Sequence, residues 1–594
     1  MNLLPDVWGR GALFAYSALE GENTFSESVC GQLMAEHIGM MFDGNQSELY
    51  LRLKGIPWVL EIEFSLVATD LIEGKLSYEL KGEFGGGSFK FLALDQRTVV
   101  GYAPSDVSTP IFKADLAEEK EFDGGKAYYV KGLLGMHWYA FATCEKDGKT
   151  YFAVVRDNDY DKAVEGVNAA FSADIDSIAD KRREYFKIVP TLKNATEAEQ
   201  KTLAKCFTVM KSQFHSPEGL FTDLWTTPDR LPHRRWWLWD SVFHSIGNYY
   251  IDPELAFLTI RSIIDMQKED GFIPHMCEPN KYIAPHSQPP LIAWGVWKLY
   301  ERTGKKEWLE AMYECNARFL KWMSENRDMN HNHMYQWYVE KGSVVCRGGE
   351  SGMDNTPRFD NVLYLDAIDL SCYMANEMRY MVKIANTLGK EDDAACYEAE
   401  YKIIKDRINE VLYDSEDKRY YDRLPLNGEF KKVATVSSFL PLFAGVCTEE
   451  QAKALADDLS NPETFMGEMP VPTVAFNDPT HSIDYWRGTT WICYNYMIQE
   501  GLRNYGYTEL ADEIVDKTIR CIAEWYEREG CIFEVYDPRN RLCPSELERK
   551  GPALKPIEPY ARILAVRDFG WSSTLYTAMI MDRERKTSIT FFAE

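Results

Sequence analysis

The first third of the chain alternates apolar and polar residues with the two-residue period of β-strands. The stretch ELYLRLKG places Leu49, Leu51 and Leu53 on one face, and LEIEFSL, KLSYELKGEF and YFAVVRD continue the period. Turn-forming glycines occupy positions 85–87. Many short alternating runs between turn signals are typical of packed antiparallel sheets. We therefore predict an N-terminal antiparallel β-sandwich over residues 1–180.

The hydrophobic period changes to that of α-helices after a charged linker at 181–196. Apolar residues then recur three or four positions apart, as a buried helical stripe requires. Thr196, Thr508 and the pair Thr448–Gln451 carry helix-capping signals. The pattern predicts helices at 197–214, 236–249, 253–268, 290–302, 306–327, 361–389, 391–413, 433–445, 449–459, 488–505, 509–528 and 569–583. They make residues 197–594 a second domain.

The connections between these twelve helices alternate in length. Short ones join 249 to 253, 302 to 306, 389 to 391, 445 to 449 and 505 to 509, and the others are long. Short connections make antiparallel neighbours, so the helices pair into hairpins. Six hairpins that close into a ring form an (α/α)6 barrel with all long loops at one end. An open solenoid of hairpins is the alternative, although no repeated sequence motif favours it.

Unusual polar and aromatic clusters lie in or beside those long loops. They read RRWWLWD (234–240), PHSQPP (285–290), ESGMDNTPRFD (350–360), DYWRGTTW (484–491), IFEVYDP (532–538) and DFGWSS (568–573). If the barrel closes, these loops converge on one pocket. We expect that pocket to have aromatic walls with carboxylates between them.

Composition then narrows the classes of function. The 594 residues are 45% hydrophobic and carry a net charge of −26, without the Lys/Arg-rich run that a nucleic-acid binder needs. No stretch reaches the roughly 18 apolar residues of a membrane span, and the N-terminus does not read as a signal peptide. The 13 Cys are scattered without a close C-x-x-C pair, which is typical of reduced thiols. We therefore expect a cytoplasmic protein with neither a nucleic-acid nor a membrane partner.

Carboxylates in an aromatic pocket suit glycoside hydrolysis. One protonated carboxyl group donates to the leaving oxygen, and a second carboxylate activates a water or attacks the sugar directly. Loop position favours Asp354 and Glu534 as this pair. The carboxylates of Glu350, Asp240 and Asp484 compete for either role.

The motifs WLWDSVFH, SQPP, ESGMDNTPRFD, YWRGTTW, FEVYDP and FGWSS, in this order, resemble the motif series of glycoside hydrolase family 63. The resemblance covers residues 195–585. That family includes processing α-glucosidases and bacterial mannosylglycerate hydrolases, and the trehalases of family 37 are related in fold. The resemblance implies a β-sandwich followed by an (α/α)6 barrel and a reaction that inverts the anomeric centre.

The same resemblance implies roles for single residues. Asp354 matches the general acid and Glu534 the general base. The predicted substrate-binding residues are Trp237, Trp239, Asp240, Gln288, Glu350, Trp486, Arg487, Gly488 and Trp491. The chain departs from the family pattern at Thr489, where Pro is frequent, and after YDP, where RNRLCPSELERKG is longer and more charged than expected.

We predict an inverting, exo-acting α-glycosidase that hydrolyses a short α-glucoside, with Asp354 as acid and Glu534 as base and with no cofactor or metal. An α-mannosidase or a glycosylglycerate hydrolase on the same scaffold is the alternative, as is a carbohydrate-binding protein without catalysis. An epimerase would require histidines as acid and base, and a phosphorylase would require a phosphate site in place of the second carboxylate.

Three further patterns have two interpretations each. The pair Arg234–Arg235 could recognise an anionic aglycone or could lie at the surface. His275 and His286 have poor spacing for a metal site and are expected to be ordinary loop histidines. The stretch DNDYD (157–161) is expected to form a solvated turn rather than a calcium site.

Overall fold

The computed structural model describes residues 14–15, 37–42, 48–54, 59–65, 80–84, 87–94 and 98–104 towards the N-terminus. It also describes residues 111–114, 118–132, 135–157, 159–178, 187–215, 217, 219–229, 235–278, 281–282, 285–341, 346–550 and 565–590. Strands occupy the earlier ranges and helices dominate from residue 197 onwards, as the change of hydrophobic period predicts.

Twelve strands precede the first helix of the described chain and form two sheets. The strands are β1 (Phe14–Ala15), β2 (His37–Phe42), β3 (Glu48–Lys54), β4 (Val59–Ser65), β5 (Leu80–Phe84), β6 (Gly87–Ala93), β7 (Thr98–Pro104), β8 (Ile111–Ala114), β9 (Glu118–Phe122), β10 (Gly125–Gly132), β11 (Gly135–Lys146) and β12 (Lys149–Asp157). One sheet has the order β1-β2-β3-β4-β8, and the other has the order β5-β6-β7-β12-β11-β10-β9.

The register of these sheets follows the predicted alternation. Leu51 of β3 lies opposite Ile62 of β4, and Leu53 lies opposite Leu60, so the apolar positions of the two strands pair. The pairing is antiparallel throughout except between β1 and β2, which are parallel. The antiparallel sheets are therefore present, and their packing into a sandwich stays a prediction.

A helix that the alternating pattern does not predict follows β12. Helix α1 (Tyr160–Ala170) is capped by Asp159, whose side chain accepts a hydrogen bond from the backbone N–H of Lys162. Its buried face, Ala163, Val167 and Ala170, packs in one core with residues of the seven-stranded sheet. The stretch 157–161, expected as a solvated turn, joins the end of β12 at 157 to the start of α1 at 160, and Asp159 and Asp161 are exposed.

Twelve further helices are present in the described chain, as predicted. They are α2 (Glu197–Ser212), α3 (Leu238–Asn248), α4 (Pro253–Met266), α5 (Ile292–Thr303), α6 (Lys306–Arg327), α7 (Ile368–Leu388), α8 (Glu391–Val411), α9 (Leu440–Ala444), α10 (Glu449–Leu459), α11 (Ile492–Asn504), α12 (Thr508–Glu529) and α13 (Gly570–Thr590). The largest differences are at α7, which begins at 368 and not 361, at α9, which begins at 440 and not 433, and at α13, which ends at 590 and not 583. Just before α7, Asp366 bridges to Arg423, and the Asp422 side chain accepts the N–H of Ile368, so the backbone there is held outside the helix.

Six of these helices close into a ring. Helix α3 packs against α5, α5 against α7, α7 against α9, α9 against α11, α11 against α13, and α13 returns to α3. Helices α4, α6, α8 and α12 pack outside α3, α5, α7 and α11, and α2 packs outside α13. This closed arrangement is the one that an (α/α)6 barrel requires, and it contradicts the open solenoid. The long loops consequently meet at the N-terminal ends of the inner helices.

Two of the three predicted helix caps are confirmed. Thr196 with Glu199 and Thr448 with Gln451 each form a capping box, in which the two side chains satisfy backbone N–H groups reciprocally. The Thr508 prediction is wrong, because Thr508 is the first helical residue of α12 and no side chain caps that helix. Capping boxes need two matching residues, so they are a more specific signal than a lone threonine.

The predicted linker at 181–196 is partly described. Residues 179–186 lie outside the described chain, so the predicted domain boundary is untested. The C-terminal part of the linker contacts helix α13, because the backbone N–H groups of Lys193 and Asn194 donate to the Glu584 carboxylate. Within the described residues, no helix has the length and apolar character needed to cross a membrane.

Candidate active site

A pocket with about 390 Å³ of open space lies at the N-terminal ends of the inner helices. Its walls are Pro228, Trp237, Trp239, Asp240, Gln288, Gly352, Asp354, Tyr485, Trp486, Trp491, Glu534, Arg549, Phe569 and Trp571. These residues come from five of the long loops, so the pocket depends on closure of the ring.

Most of the residues predicted from sequence meet in this pocket. Those that line it are Trp237, Trp239, Asp240, Gln288, Asp354, Trp486, Trp491 and Glu534. Both candidate catalytic carboxylates therefore border one space. Glu350, Arg487 and Gly488 are absent from the described lining, and their contacts place them behind it.

The loop that carries Asp354 runs close against the aromatic wall. Gly352 has a left-handed φ of 75°, and a Cβ at this position would lie 2.4 Å from Cζ2 of Trp239. Only glycine satisfies both the backbone conformation and the close approach. The carboxylate of Asp354, two residues later, keeps 21% of its surface exposed.

The Asp354 carboxylate pairs with a lysine. Oδ2 of Asp354 lies 2.5 Å from Nζ of Lys550, and Nζ also lies 3.1 Å from Sγ of Cys346. Burial is the largest single effect on the pKa of Lys550 and lowers it, but the charge and hydrogen bond of Asp354 together with Cys346 leave the pKa above its ordinary value. Lys550 has a left-handed φ of 60°, which is uncommon outside glycine. A charged lysine in an unusual backbone conformation thus faces the candidate acid.

The Glu534 carboxylate is held on several sides. Nε of Arg549 donates to Oε2 at 2.9 Å, and Nη2 of Arg549 donates to Oε1 at 3.1 Å. The Tyr485 hydroxyl donates to Oε1 at 3.1 Å, and Arg549 also donates to that hydroxyl. The backbone N–H of Glu534 donates to the carbonyl of Val566 at 2.8 Å. A forked arginine contact of this kind fixes both the charge and the direction of a carboxylate.

Arg487 and Asn355 tie the Asp354 loop to the tryptophan loop. Oδ1 of Asn355 accepts the backbone N–H of Trp486 at 3.0 Å, and Nδ2 of Asn355 donates to the carbonyl of Asp484 at 3.3 Å. Arg487 forms a bidentate pair with Asp360 and donates to the carbonyl of Asn355. Arg487 therefore supports the pocket wall, whereas the motif resemblance predicts it at the substrate.

Gly488 has a similar supporting position. A Cβ at Gly488 would lie 2.3 Å from the carbonyl oxygen of Ser482, so a side chain does not fit between the two backbone segments. Glycine is required here for the close packing of the loop, and the predicted contact of Gly488 with the substrate stays a prediction.

Glu350 anchors a neighbouring loop and does not border the pocket. Its buried carboxylate pairs with Arg327, with Nη2 lying 2.6 Å from Oε1. It also accepts the backbone N–H groups of Ser287 at 2.9 Å and Tyr338 at 2.5 Å. All of these bonds are internal and support the loop, and the predicted role of Glu350 in substrate binding stays a prediction. Ser287 precedes Gln288, and Glu350 thereby positions a residue of the pocket.

A buried ion cluster lies beneath the Asp354 loop. Arg358 pairs with Asp369 and with Asp422, and Nη1 of Arg358 lies 3.1 Å from Oδ1 of Asp422. Burial raises the pKa of Asp422 to about 6, against the lowering effect of Arg358. Trp337 Nε1 also donates to Asp369 at 2.8 Å. The cluster connects the loop to the start of α7.

Tryptophan rings form the apolar wall. Trp486 and Trp491 stack with centroids 3.6 Å apart and planes inclined by 7°, and Trp239 meets Trp571 edge to face at 5.2 Å. The buried indole N–H groups of Trp486, Trp491 and Trp571 have no hydrogen-bond partner among the described residues. Apolar faces with unused donors suit a sugar, which presents C–H patches and hydroxyl groups together.

Asp240 is buried at the same pocket, with 3% of its surface exposed. Burial raises the pKa of Asp240 well above its ordinary value, and the charges of Asp229 and Glu534 raise it further. A carboxyl group with this surrounding can donate a hydrogen bond as well as accept one. That property fits a partner for a sugar hydroxyl.

His275 and His286 stack face to face beside Trp237, with ring centroids 4.2 Å apart. Burial lowers the pKa of His275 well below its ordinary value, and His286 lowers it further. Among the described residues, no group of three or more His, Cys, Asp and Glu side chains is arranged to hold a metal ion. Both rings are neutral packing elements at the mouth of the pocket.

Several lining residues escaped the sequence-based interpretation. Tyr485 and Trp571 belong to DYWRGTTW and DFGWSS, two motifs that indicate the site without indicating these residues. Arg549 and Lys550 lie in RNRLCPSELERKG, the segment that departs from the family pattern. The excess of charged residues in this segment, close to the predicted catalytic Glu534, was the feature of the sequence that could have indicated Arg549 and Lys550.

Three comparisons with known proteins concern the family and the fold of this chain. Residues 233–572 match the family described as the mannosylglycerate hydrolase MGH1-like glycoside hydrolase domain. Mannosylglycerate hydrolase MGH1 of Selaginella moellendorffii is 26% identical over 382 residues, which span 51% of this chain and 75% of that protein. A mannosylglycerate hydrolase of Thermus thermophilus is 26% identical over 385 residues, or 51% of this chain and 88% of that protein.

A solved structure gives the same fold. The GH63 mannosylglycerate hydrolase from Thermus thermophilus, in complex with glucose, superposes with a TM-score of 0.52 at 23% identity. The alignment covers 64% of this chain and 99% of that one. At this level of identity the likeness concerns the fold alone.

Proposed function

The chain belongs to the MGH1-like glycoside hydrolases of family 63, and from that membership we propose that it is an inverting α-glycosidase acting on a glycosylglycerate. The family match includes both candidate carboxylates, Asp354 and Glu534, and the tryptophan wall. The observation that carries the proposal is that these two carboxylates border one pocket whose other walls suit a sugar.

The proposed reaction assigns one proton transfer to each carboxyl group. Asp354 donates its proton to the glycosidic oxygen as the bond to the anomeric carbon breaks. Glu534 takes a proton from a water molecule, whose oxygen forms the new bond at the opposite face of the sugar. Arg549 holds the Glu534 carboxylate in place for this role. The products are the free sugar with inverted anomeric configuration and the aglycone alcohol.

The pocket offers further groups for binding the sugar. Asp240 and Gln288 present polar atoms at the base, and Gln288 is oriented by the backbone N–H of Trp239, which donates to Oε1 at 3.2 Å. The indole N–H groups of the wall supply additional donors. We propose that one sugar ring occupies this volume and that the aglycone extends past Asp354 towards Lys550.

The comparisons favour the glycosylglycerate alternative over the α-glucoside that the motifs first indicated. Relatives at 26% identity are named as mannosylglycerate hydrolases in a plant and in a bacterium. Their names specify a mannosyl group on an acidic aglycone, so we propose mannosylglycerate as the substrate class.

The test is hydrolysis of a substrate panel by the purified full chain. The panel contains α-mannosylglycerate, α-glucosylglycerate, methyl α-mannoside and trehalose, with released monosaccharide as the readout. We expect the highest kcat/KM for α-mannosylglycerate and a large loss in Asp354→Asn. Asp457→Asn, at an exposed position of α10 where Asp457 pairs with Lys453, is the matched control and should retain activity.

Two results would contradict the proposal. Release of sugar from none of the four substrates, with sugar binding retained, would favour the carbohydrate-binding protein. Preference for trehalose over both glycerates would favour a disaccharide hydrolase on the same scaffold.

A further inference from the structure

Two cations hold the two carboxylates of the pocket in different ways. Arg549 forms a forked contact with both oxygens of Glu534, and its guanidinium carbon lies 4.8 Å from the ring centroid of Tyr485. Nζ of Lys550 lies 2.5 Å from Oδ2 of Asp354 and 3.1 Å from Sγ of Cys346. The planar guanidinium of Arg549 is held to Glu534 by its forked contact, whereas an ammonium group on a flexible stem can turn to another acceptor.

The lysine contact is at odds with the proposed role of Asp354. A general acid must carry a proton before it can donate one. An ammonium ion 2.5 Å from Oδ2 attracts the ionised carboxylate far more strongly than the neutral acid. In the unliganded arrangement the ammonium group therefore occupies the side of Oδ2 from which Asp354 would donate a proton.

We propose that Lys550 exchanges partners when substrate binds: the carboxylate of an anionic aglycone takes Lys550 from Asp354, and Asp354 then takes up a proton from solvent. This inference rests on the proposed function, because it requires an aglycone with a carboxylate. The charges balance, since the substrate anion replaces the Asp354 anion beside an unchanged ammonium ion. The proton acquired by Asp354 is the one transferred to the glycosidic oxygen.

The groups around this pair leave Lys550 as the cation able to move. Asp354, Cys346 and Arg549 act on its charge, and its Nζ lies 5.1 Å from the ring centroid of Tyr485. Burial raises the pKa of Tyr485 well above its ordinary value and raises that of Cys346, so both remain neutral near pH 7. Arg549 is already committed to Glu534 by its forked contact.

The histidines near Asp354 do not compete for this role. His286 is the one whose charge Asp354 influences, together with Glu340, Arg327 and the Arg327-paired Glu350. Burial lowers the pKa of His286 below its ordinary value, and its ring is neutral near pH 7. Lys550 and the substrate anion are thus left to decide the charge beside the acid.

This exchange makes an anionic aglycone part of the catalytic machinery. A neutral aglycone has no carboxylate to take Lys550 and leaves it on Asp354, so a glycoside with a neutral aglycone should be hydrolysed more slowly. A glycoside with an acidic aglycone frees Asp354 by the exchange. Specificity then arises at the proton-transfer step as well as in binding.

The experiment compares Lys550→Met with wild type on α-mannosylglycerate and on methyl α-mannoside across pH. On α-mannosylglycerate we expect kcat/KM to fall by at least about 30-fold, because a charge partner is lost from a buried pair. On methyl α-mannoside we expect kcat/KM to rise above neutral pH, because the alkaline limb of the pH–rate profile should move to higher pH once Lys550 no longer occupies Asp354. Inhibition by D-glycerate should weaken, whereas inhibition by D-mannose should not.

Two controls accompany this variant. Lys550→Arg keeps the charge and should restore most of the D-glycerate inhibition. Lys453→Met removes an exposed lysine of α10 that pairs with Asp457, and it should change neither substrate. Thermal melting of each variant shows whether it is folded.

The possible failures are distinguishable. Equal losses on both substrates, or an unmoved pH profile on methyl α-mannoside, overturn the exchange and leave the proposed glycosidase intact. If D-glycerate inhibits Lys550→Met as strongly as it inhibits wild type, the exchange is likewise overturned and the proposed glycosidase is not affected. If wild type hydrolyses neither substrate, the proposed function itself fails.

Discussion

Oδ1 of Asn355 accepts the backbone N–H of Trp486 at 3.0 Å, although the two residues are 131 positions apart in the chain. This bond, with the contact from Nδ2 to the carbonyl of Asp484, joins the loop of the candidate acid to the loop of the aromatic wall. The side chain following Asp354 thereby determines the distance from the acid to the sugar. Asn355 acts as a positioning residue.

Asn355→Ala should lower kcat/KM by on the order of 10²-fold, since a misplacement of about 1 Å is enough for such a loss. Its melting temperature should fall only slightly, because one hydrogen-bonding side chain contributes about 1 kcal/mol. Steady-state kinetics and thermal melting measure the two effects. Asn326→Ala is the matched control, since Asn326 is exposed and bonds only within its own helix. Full activity in Asn355→Ala would show that the loops hold their places without this bond.

Asp354→Asn should keep the fold and lose about 10²–10⁴ in rate on a natural glycoside, the usual contribution of general acid catalysis. Substrates with very good leaving groups need no protonation of the leaving oxygen, so Asp354→Asn should hydrolyse them at a rate close to that of wild type. Comparison of α-mannosylglycerate with an aryl α-mannoside measures this difference. Near wild-type rate on the natural substrate would remove Asp354 from the acid role.

The first sugar released from an α-glycoside should be the β-anomer. Asp354 and Glu534 come from different loops around the ring, which favours the separation of about 6.5–9.5 Å that inverting enzymes use to admit a water molecule. Proton NMR of the product, recorded before mutarotation, measures the anomer. Initial release of the α-anomer would identify a retaining mechanism with Glu534 as the nucleophile.

Glu377 should make the protein less stable as pH rises through neutrality. Its buried carboxylate accepts the backbone N–H groups of Ala293 and Trp294 at the start of α5, yet burial raises its pKa from 4.5 to about 7. A raised folded pKa gives stability that is complete below pH 4.5 and lost as pH rises through about 7. Ionisation of Glu377 alone should lower the free energy of unfolding by about 3 kcal/mol over this pH range.

Glu377→Gln should flatten the decline in melting temperature between about pH 5 and pH 8 relative to wild type. Glu398→Gln, at an exposed position of α8, is the control and should leave the slope unchanged. An identical slope in Glu377→Gln and wild type would show that other groups cause the decline.

Arg358→Met should destabilise the protein by about 3–5 kcal/mol, because it leaves two buried carboxylates without a cation. Asp369 and Asp422 are both in contact with Arg358, and burial raises the pKa of Asp422 to about 6. The destabilisation should therefore shrink below pH 6, where Asp422 takes up a proton. Thermal melting at pH 5 and pH 8 measures this. Arg520→Met removes an arginine paired with Glu468 at the surface and should have almost no effect.

Local sequence pattern was sufficient for most of the fold. The two-residue period predicted the antiparallel strands, and the helical period with alternating connection lengths predicted the twelve helices and the ring. The capping boxes at Thr196 and Thr448 were equally readable. Each of these features depends on residues a few positions apart or on the burial of one face of a helix or strand. Burial of one face makes apolar residues recur at regular intervals in the sequence, and this pattern can be recognised.

Tertiary structure alone decided what each loop side chain contacts. Glu350 and Asp354 lie four positions apart in one motif, yet the first is bound by Arg327 behind the wall and the second borders the pocket. Arg549 and Lys550 reach Glu534 and Asp354 from a segment that showed only an excess of charge. A loop has no repeating period, and the direction of its side chains is set by partners far along the chain. The residues that carry chemistry were therefore recognisable by type from the sequence, and their partners became visible only when the closed ring brought the loops together.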